Sequence, residues 1–398
     1  MPGIGDENHW RKQWYNIRET QELSGQRNLT FERDRFLLVV IALVGLGVMM
    51  VFSSTGATRM LELRADFLNR HLQFLCLSGG LFTIIQLLPL RLILRWGALV
   101  YLLVLTLLIL VLIPGVGAEI NGAQRWFRFG SVSLQPSEMM KFALPLMLAS
   151  LLHRSRNWSL TGQSLFALPW LAGTSLLILV EPDLGTAVLV FLIGSLFLFL
   201  AGCPLRIFGW GAVGMVPLAS TLVLLRPYQL KRVMAYLDAI GNWENAQYQV
   251  KQSLLSLGAG GLWGTGFGQG LQKWSFLPES HTDFVFAVVG EELGLIGSLG
   301  VVFLWLLLMH FGIQLVERVR HNRIAFALAG SLLLGVLLQA AINVSVVTSL
   351  VPPKGISHPF LSYGGSNLLA TLISLALVVK ITTSTELEPH PEEVVSLE

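Results

Sequence analysis

Charge is scarce in this chain: Asp, Glu, Lys and Arg make up 13% of its 398 residues, against 53% hydrophobic residues. Soluble domains carry about 25% charged residues. With a mean hydropathy of +0.65, the composition excludes an ordinary water-exposed globule and implies a polytopic membrane protein. Cysteine is scarcer still. Cys76 and Cys203 lie in or beside apolar segments expected at different depths, so neither a disulfide nor a thiolate metal site is inferred. The net charge of +3 is too small to mark a nucleic-acid partner. The basic residues sit mostly at the ends of apolar segments, where snorkelling and topology account for them. No secretory leader is expected either, because roughly 35 polar residues precede the first apolar run and that run carries no small-residue cleavage site.

Several site patterns are missing as well. GAGGLWGTGFGQG, residues 258–270, holds seven glycines in thirteen residues, yet matches neither G-x-G-x-x-G nor G-x-x-x-x-G-K-[ST], and no strand pattern precedes it. It implies close backbone approach or mobility rather than a nucleotide site. His281 and His358 lack ligand spacing to other His or Cys, so no zinc site is expected. SYGGS at 362–366 is not G-x-S-x-G and opens an apolar segment. Ser362 and Ser366 are therefore read as the start of a broken helix lining a cavity.

Apolar stretches near the ~20 residues that cross a bilayer are present at 36–54, 70–88, 92–113, 137–152, 165–180, 186–201, 206–225, 284–311, 324–350 and 362–381. The expected fold is all-α, with ten transmembrane helices between a polar tail at 1–35 and an acidic tail at 382–398. Both tails are of a composition that favours disorder. Placing the N-terminus inside puts 15 Lys and Arg on the cytoplasmic side and 11 outside, five of them in one long loop that the positive-inside rule discounts. Both termini are thus expected in the cytoplasm.

Four outer connections then collect the unusual residues. Residues 114–136 are turn-rich and carry Arg125, Trp126 and Arg128. They lead into PSEMMK, where Glu138 and Lys141 share a helix face and can pair. EPDLGT at 181–186 is a tight turn holding Glu181 and Asp183. The loop 226–283 is too long to be structureless; Pro227–Ile240 and Gln247–Leu257 read as short amphipathic helices on the membrane surface. The last connection is VPPKGISHPFL at 351–361.

Charge lies densest against hydrocarbon in Leu271–Gly294. Asp283 opens the apolar helix there, and two roles compete for it. It caps the helix, or, with a pKa raised at a low-dielectric boundary, it serves as a general base. Glu279, His281 and Lys273 precede it closely. Glu291 and Glu292 lie deeper, where one carboxylate costs at least ~2.5 kcal/mol on insertion scales. They are expected to face the bundle interior, in a structural pair with Lys141 or a helix-breaking polar contact, with a proton path as the sharper alternative. Arg125, Arg128, Arg232, Lys251 and Lys273 together suggest an anion-binding rim, with lipid-headgroup contact as the ordinary alternative.

NGAQRWFRFG, LQPSEMMKFAL, EPDLGTA, FLPESHTDFVFAVVGEELG and PPKGISHPFLSYGGSNLL, spread over about residues 36–382, resemble motifs of the SEDS proteins (shape, elongation, division and sporulation), the FtsW/RodA peptidoglycan polymerases. Lys273 and Lys354, with the N-terminal extension, resemble the division branch more than the elongation branch. His358, Asn367 and Ser280 stand where the family more often has other residues. The resemblance implies a ten-helix fold in the bacterial inner membrane and a glycosyltransferase that polymerises lipid II at the septum. By that analogy Asp283 deprotonates the acceptor 4-hydroxyl, which attacks the donor anomeric carbon with inversion, and undecaprenyl pyrophosphate leaves. Glu138, Lys141, Glu181 and Asp183 match family motifs and support the cavity. No cofactor is firmly implied, although a divalent cation, Mg or Mn, could assist the leaving group. The implied partners are a class B penicillin-binding transpeptidase and other division proteins. Two other roles fit the residues: a lipid II flippase, because intramembrane charge also marks transport paths, and a scaffold that only recruits a transpeptidase.

Overall fold

The computed structural model describes residues 7–384 apart from 56–60, 121, 122, 130, 131, 205, 208–212, 214–219, 222–226, 242, 243, 245 and 273–276. Helix α1 spans Glu7–Ser54, so the polar residues ahead of Phe36 and the apolar run behind it share one helix. Next come α2 (Leu61–Leu87) and α3 (Leu90–Val111), separated at Pro89, which has no N–H to continue a helix. Then follow α4 (Pro136–Arg154), α5 (Leu160–Val180) and α6 (Leu184–Leu200). Side-chain caps set several starts: Ser159 accepts the Gly162 N–H at 3.1 Å, Asp183 that of Thr186 at 3.0 Å, and Asn322 that of Ala325 at 3.2 Å. The chain continues with α7 (Pro227–Gly241), α8 (Tyr248–Ala259), α9 (Val285–Arg318), α10 (Arg323–Val347) and α11 (Gly365–Thr383).

Among the described residues, six helices are long and apolar enough to cross a membrane: Leu29–Ser54 within α1, then α3, α5, α9, α10 and α11, with the apolar α6 shorter. Nine of the ten expected spans therefore coincide with a helix; the tenth, 206–225, lies almost wholly outside the described residues. Helix α4 sits at the centre, with every residue from Pro136 to Leu152 buried. Apart from Ser137, Glu138, Lys141 and Ser150 that buried stretch is apolar all round, which suits a helix enclosed by others. Against it packs α3, where a Cβ on Gly97 would come within 2.9 Å of the Leu146 carbonyl oxygen. A small residue there lets two backbones approach closely.

The structure departs from an all-α expectation in one connection. Residues read as turns form a three-stranded antiparallel meander, β1 (Ala118–Ile120), β2 (Ala123–Phe129) and β3 (Val132–Leu134). The reason lies in QRWFRF, whose aromatic residues suit a pleated, half-buried surface: Phe127 is buried while Arg128 is exposed. The two amphipathic segments of the long loop form α7 and α8 as expected, and Met234 and Leu237 on α7 remain exposed.

Helix α9 contains a break at Gly294, which has φ 68° and ψ −166°. An unbroken helix would bond the N–H of Leu295 and Ile296 to the carbonyls of Glu291 and Glu292. Instead Thr265 and Gly266 donate to those carbonyls at 2.9 and 3.1 Å, while Leu295 and Ile296 donate to Gly261 and Leu262 at 2.9 and 3.3 Å. These four backbone groups thus each have a partner, as irregular backbone at membrane depth requires. Glycine is needed for the approach, since a Cβ on Gly264 would lie 2.1 Å from the Glu292 carbonyl oxygen.

The connections gather at opposite ends of the bundle. At one end Arg318 pairs with Glu32 at 2.6 Å, Arg323 bonds Gln163 at 2.7 Å and Lys380 bonds the Gln86 carbonyl at 3.1 Å. At the other, the four connections read as outer ones touch each other.

Candidate active site

The meander meets the EPDLG turn through Arg125, whose Nε and Nη2 donate to the carbonyls of Glu181 and Pro182 at 2.8 and 2.6 Å. Its Nη1 lies 3.9 Å from Asp183 Oδ2. These contacts revise its expected place in an anion rim, because a guanidinium clamping two carbonyls has fewer donors left for a ligand. Asp183 caps α6 and also accepts from Gln135 Nε2 at 3.1 Å. The turn in turn packs on 351–361: a Cβ on Gly185 would come within 2.7 Å of Ile356 Cγ1.

Asp283 stands against the same loop, with its Oδ2 3.1 Å from where a Cβ on Gly355 would be. Its backbone carbonyl accepts from Asn343 Nδ2 at 2.7 Å, and the same amide group donates to Ile356 O at 2.8 Å. The capping alternative fails: Phe284 is the N-cap of α9 and no side chain caps it. Among the described residues the Asp283 carboxylate accepts no hydrogen bond. Burial, then the charges of Glu279 and Asp183, push its pKa up to about 7; Arg232 opposes this and Glu138 adds to it. A carboxylate this poorly solvated and unpaired holds a proton near neutrality.

Around it, Glu279 is exposed, adopts φ 56°, and accepts the Thr282 hydroxyl at 2.8 Å. His281 lies tilted against Phe67 and Tyr363, at centroid distances of 5.9 and 6.2 Å. Burial lowers its pKa against the pull of Glu279. Glu181 is fully buried, with no hydrogen bond to either carboxylate oxygen among the described residues. Burial and then Asp183 push it to about 8, with the charge of Arg125 opposing.

Below this layer Glu138 and Lys141 form the expected ion pair, at 2.5 Å. Lys141 also donates to Gln339 Oε1 at 2.7 Å and Asn367 Oδ1 at 3.3 Å, and Gln339 Nε2 reaches Ser357 O at 2.8 Å. The pair expected between Lys141 and Glu291 or Glu292 does not form. Lys141 is engaged in this network, while the two glutamates serve the glycine segment: Gly268 N–H donates to Glu292 Oε2 at 3.0 Å, and Leu271 and Gln272 N–H to Glu291 Oε1 at 2.6 and 3.1 Å.

Ser362 and Ser366 hold loops rather than line an open cavity. Ser362 accepts the His358 N–H at 2.7 Å and donates to Thr282 O at 2.5 Å. Ser366 accepts the Gln135 N–H at 2.9 Å and donates to Ser133 O at 3.2 Å. Helix α11 begins at Gly365, past most of SYGGS. Lys251 donates to Glu244 O within its own loop, and no described contact joins it to the Asp283 group. Lys273 lies outside the described residues.

One residue was noted in the sequence only as a mark of resemblance. Lys354 precedes Gly355, is half-buried, and makes no hydrogen bond or ion pair among the described residues; burial lowers its pKa. The signal available was PPKG itself, a lone cation in a proline- and glycine-rich connection. Among the described residues no three His, Cys, Asp or Glu side chains converge as metal ligands would.

Architecture and site together define a multi-pass helical membrane protein with a carboxylate, unpaired among the described residues, seated among loops at one end of its bundle. The family described as Cell cycle protein (FtsW/RodA/SpoVE) matches residues 34–387, and the chain belongs to that family, the SEDS proteins. It is 36% identical to "Probable peptidoglycan glycosyltransferase FtsW" of Coxiella burnetii, covering 90% of this chain and 98% of that one. With the protein of the same name from Thioalkalivibrio sulfidiphilus it shares 40% identity, over 87% and 88% of the two chains. Among solved structures it resembles a chain from "Structural coordination of polymerization and crosslinking by a peptidoglycan synthase complex" (TM-score 0.69, 29% identity, 87% of this chain and 96% of that one). It also resembles the Thermus thermophilus rod shape determining protein RodA (TM-score 0.61, 30% identity, 87% and 95%).

Proposed function

We propose that this chain is a peptidoglycan glycosyltransferase that polymerises lipid II for septal wall synthesis, with Asp283 as its general base. The observation that carries the reading is a carboxylate with no hydrogen-bond donor among the described residues and no helix to cap, its pKa pushed up to about 7 chiefly by desolvation. A base in that state takes a proton near neutral pH and is not held back by a competing partner. Asp283 removes the proton of the acceptor sugar 4-hydroxyl as that oxygen bonds to the donor anomeric carbon. The bond to the pyrophosphate oxygen breaks, undecaprenyl pyrophosphate leaves with the electron pair, and configuration inverts. Lys354 and Arg232, the latter felt electrostatically by Asp283, are assigned to meet the pyrophosphate, and Glu279 and Asp183 keep the base basic. No step is routed through a metal ion.

The division assignment rests on relatives named FtsW. The partner proposed is a class B penicillin-binding transpeptidase, in line with the peptidoglycan synthase complex among the similar structures, and the location proposed is the septal inner membrane with both tails in the cytoplasm. The intramembrane charges that suggested lipid transport are engaged inside the fold, Glu138 with Lys141 and the α9 glutamates with backbone N–H groups.

The test is polymerisation of labelled lipid II by the purified chain with its transpeptidase partner, read as glycan ladders on a gel. Wild type is expected to polymerise, and folded Asp283→Asn to form none. Undiminished polymer from Asp283→Asn would remove the base assignment, and lipid II crossing vesicles without polymer would favour a flippase.

A further inference from the structure

The buried glutamates of α9 have separate tasks. Glu292 gathers the end of α1 and the glycine segment, since the Ser53 hydroxyl and the Gly268 N–H both donate to it. Glu291, 2% exposed, uses a single oxygen to accept two consecutive N–H groups, those of Leu271 and Gln272. A carboxylate oxygen shared by two backbone donors is a strong tie where water is excluded. Its effect carries along the chain. Gln272 O accepts the N–H of Leu277 at 2.9 Å, and Leu277 is buried. Glu279 O then accepts the N–H of Thr282 and Phe284 at 3.1 and 3.2 Å, closing the turn that bears Asp283. The stretch leading to the carboxylate is therefore fastened to α9 twice, by Glu291 at its entry and by the helix start at its exit.

We propose that Glu291 is a positioning residue for Asp283, acting through residues 271–272 and the turn 277–284; this rests on the reading of Asp283 as the base. Gripping the entry fixes how far the turn can slide over the helix end, and so where the carboxylate stands beside Gly355. An error of about 1 Å in such a group can cost 10²-fold in rate. The role needs an acceptor oxygen at this position rather than a titrating group, which distinguishes it from a proton path.

The experiment uses the full chain with its transpeptidase partner, labelled lipid II at several concentrations, and hydrogen–deuterium exchange on the same preparations. Glu291→Ala is expected to lower kcat by about 30-fold with KM changed less than about twofold, and to speed exchange in peptides covering 268–284 while α10 and α11 stay protected. Glu291→Gln, which keeps the acceptor oxygen, is expected to restore kcat to within about threefold of wild type. Loosened exchange with wild-type kcat in Glu291→Ala would overturn the proposal, as would unchanged exchange, or a Gln variant as poor as Ala. Should Glu291→Ala fail to fold, Gly264→Ala decides: it leaves both carboxylates in place but forces the glycine segment off α9. The same kcat loss is expected, and wild-type kcat would overturn the proposal. An active Asp283→Asn would instead sink the base assignment itself, a result distinct from any of these.

Discussion

Gly355 forms one wall of the seat of Asp283: the carboxylate Oδ2 lies 3.1 Å from the position a Cβ on Gly355 would take. That contact is tight enough to demand a shift of a few tenths of an ångström, and the loop has little room to give because Ser357 O and Ile356 O are held by Gln339 and Asn343. The carboxylate is the part that moves. Gly355→Ala is therefore expected to lower kcat for lipid II polymerisation by about tenfold with the fold intact. A wild-type rate would show that Gly355 does not set the position of the base.

The pH dependence follows from the same carboxylate. Asp283 acts only when deprotonated, so kcat/KM is expected to rise with pH through an apparent pKa of about 7. Arg232 favours the charged form, so Arg232→Gln should move that limb to higher pH; Glu279 disfavours it, so Glu279→Gln should move it lower. Limbs unmoved by both variants would contradict this arrangement of charges.

Stability carries the opposite sign. Asp283 and Glu181 are raised to about 7 and about 8, so the folded chain keeps protons that the unfolded chain releases above the usual carboxylate range. Their contribution is intact below that range and is lost as pH rises toward the folded values, at up to about 1.4 kcal/mol per pH unit for each group. Asp283→Asn should consequently raise the unfolding temperature in detergent, with a larger gain at pH 8 than at pH 5. An equal gain at both would mean the carboxylate is not strained by burial.

Lys354 is a half-buried cation without a described protein partner, one residue from the wall of the base. If it meets the pyrophosphate, Lys354→Ala forfeits a charged hydrogen bond of roughly 1.5–3 kcal/mol. The lipid II concentration at half-maximal rate should then rise at least tenfold, with Lys354→Arg recovering much of the loss. An unchanged KM in Lys354→Ala would return the residue to a structural role.

The helices were readable because runs of apolar residues declare themselves, and Asp283 stood out as charge against hydrocarbon. What the sequence could not convey was pairing over long separations. Glu138 and Lys141 are three residues apart and their bond was foreseeable, but the tie from Glu291 to Leu271 depends on a helix break at Gly294 that only the docked glycine segment makes acceptable. Arg125 misled for a similar reason: a basic residue in a turn-rich loop reads as an anion contact until the carbonyls of Glu181 and Pro182 are seen to occupy it. The meander was hidden by strands as short as three residues. Lys354 was in view without Asp283, which meets the adjoining Gly355 although Lys354 and Asp283 lie 71 positions apart in sequence.

The Glu138–Lys141 pair is almost entirely buried, at 7% and 5% exposure, inside the central helix. Lys141→Met would strip Glu138 of its counter-ion and leave Gln339 and Asn367 without the ammonium that both accept from. Breaking a buried pair from one side typically costs 3–5 kcal/mol, and here the loosened Gln339 would also release Ser357 in the loop beside Asp283. Replacing both members, Glu138→Gln with Lys141→Met, removes the uncompensated charge and should recover most of that stability. It should recover less of the activity, because Gln339 still lacks its anchor. Unfolding of the two variants in detergent, set beside their polymerisation rates, separates the effects. A single Lys141→Met variant as stable as wild type would show that the pair does not hold the central helix.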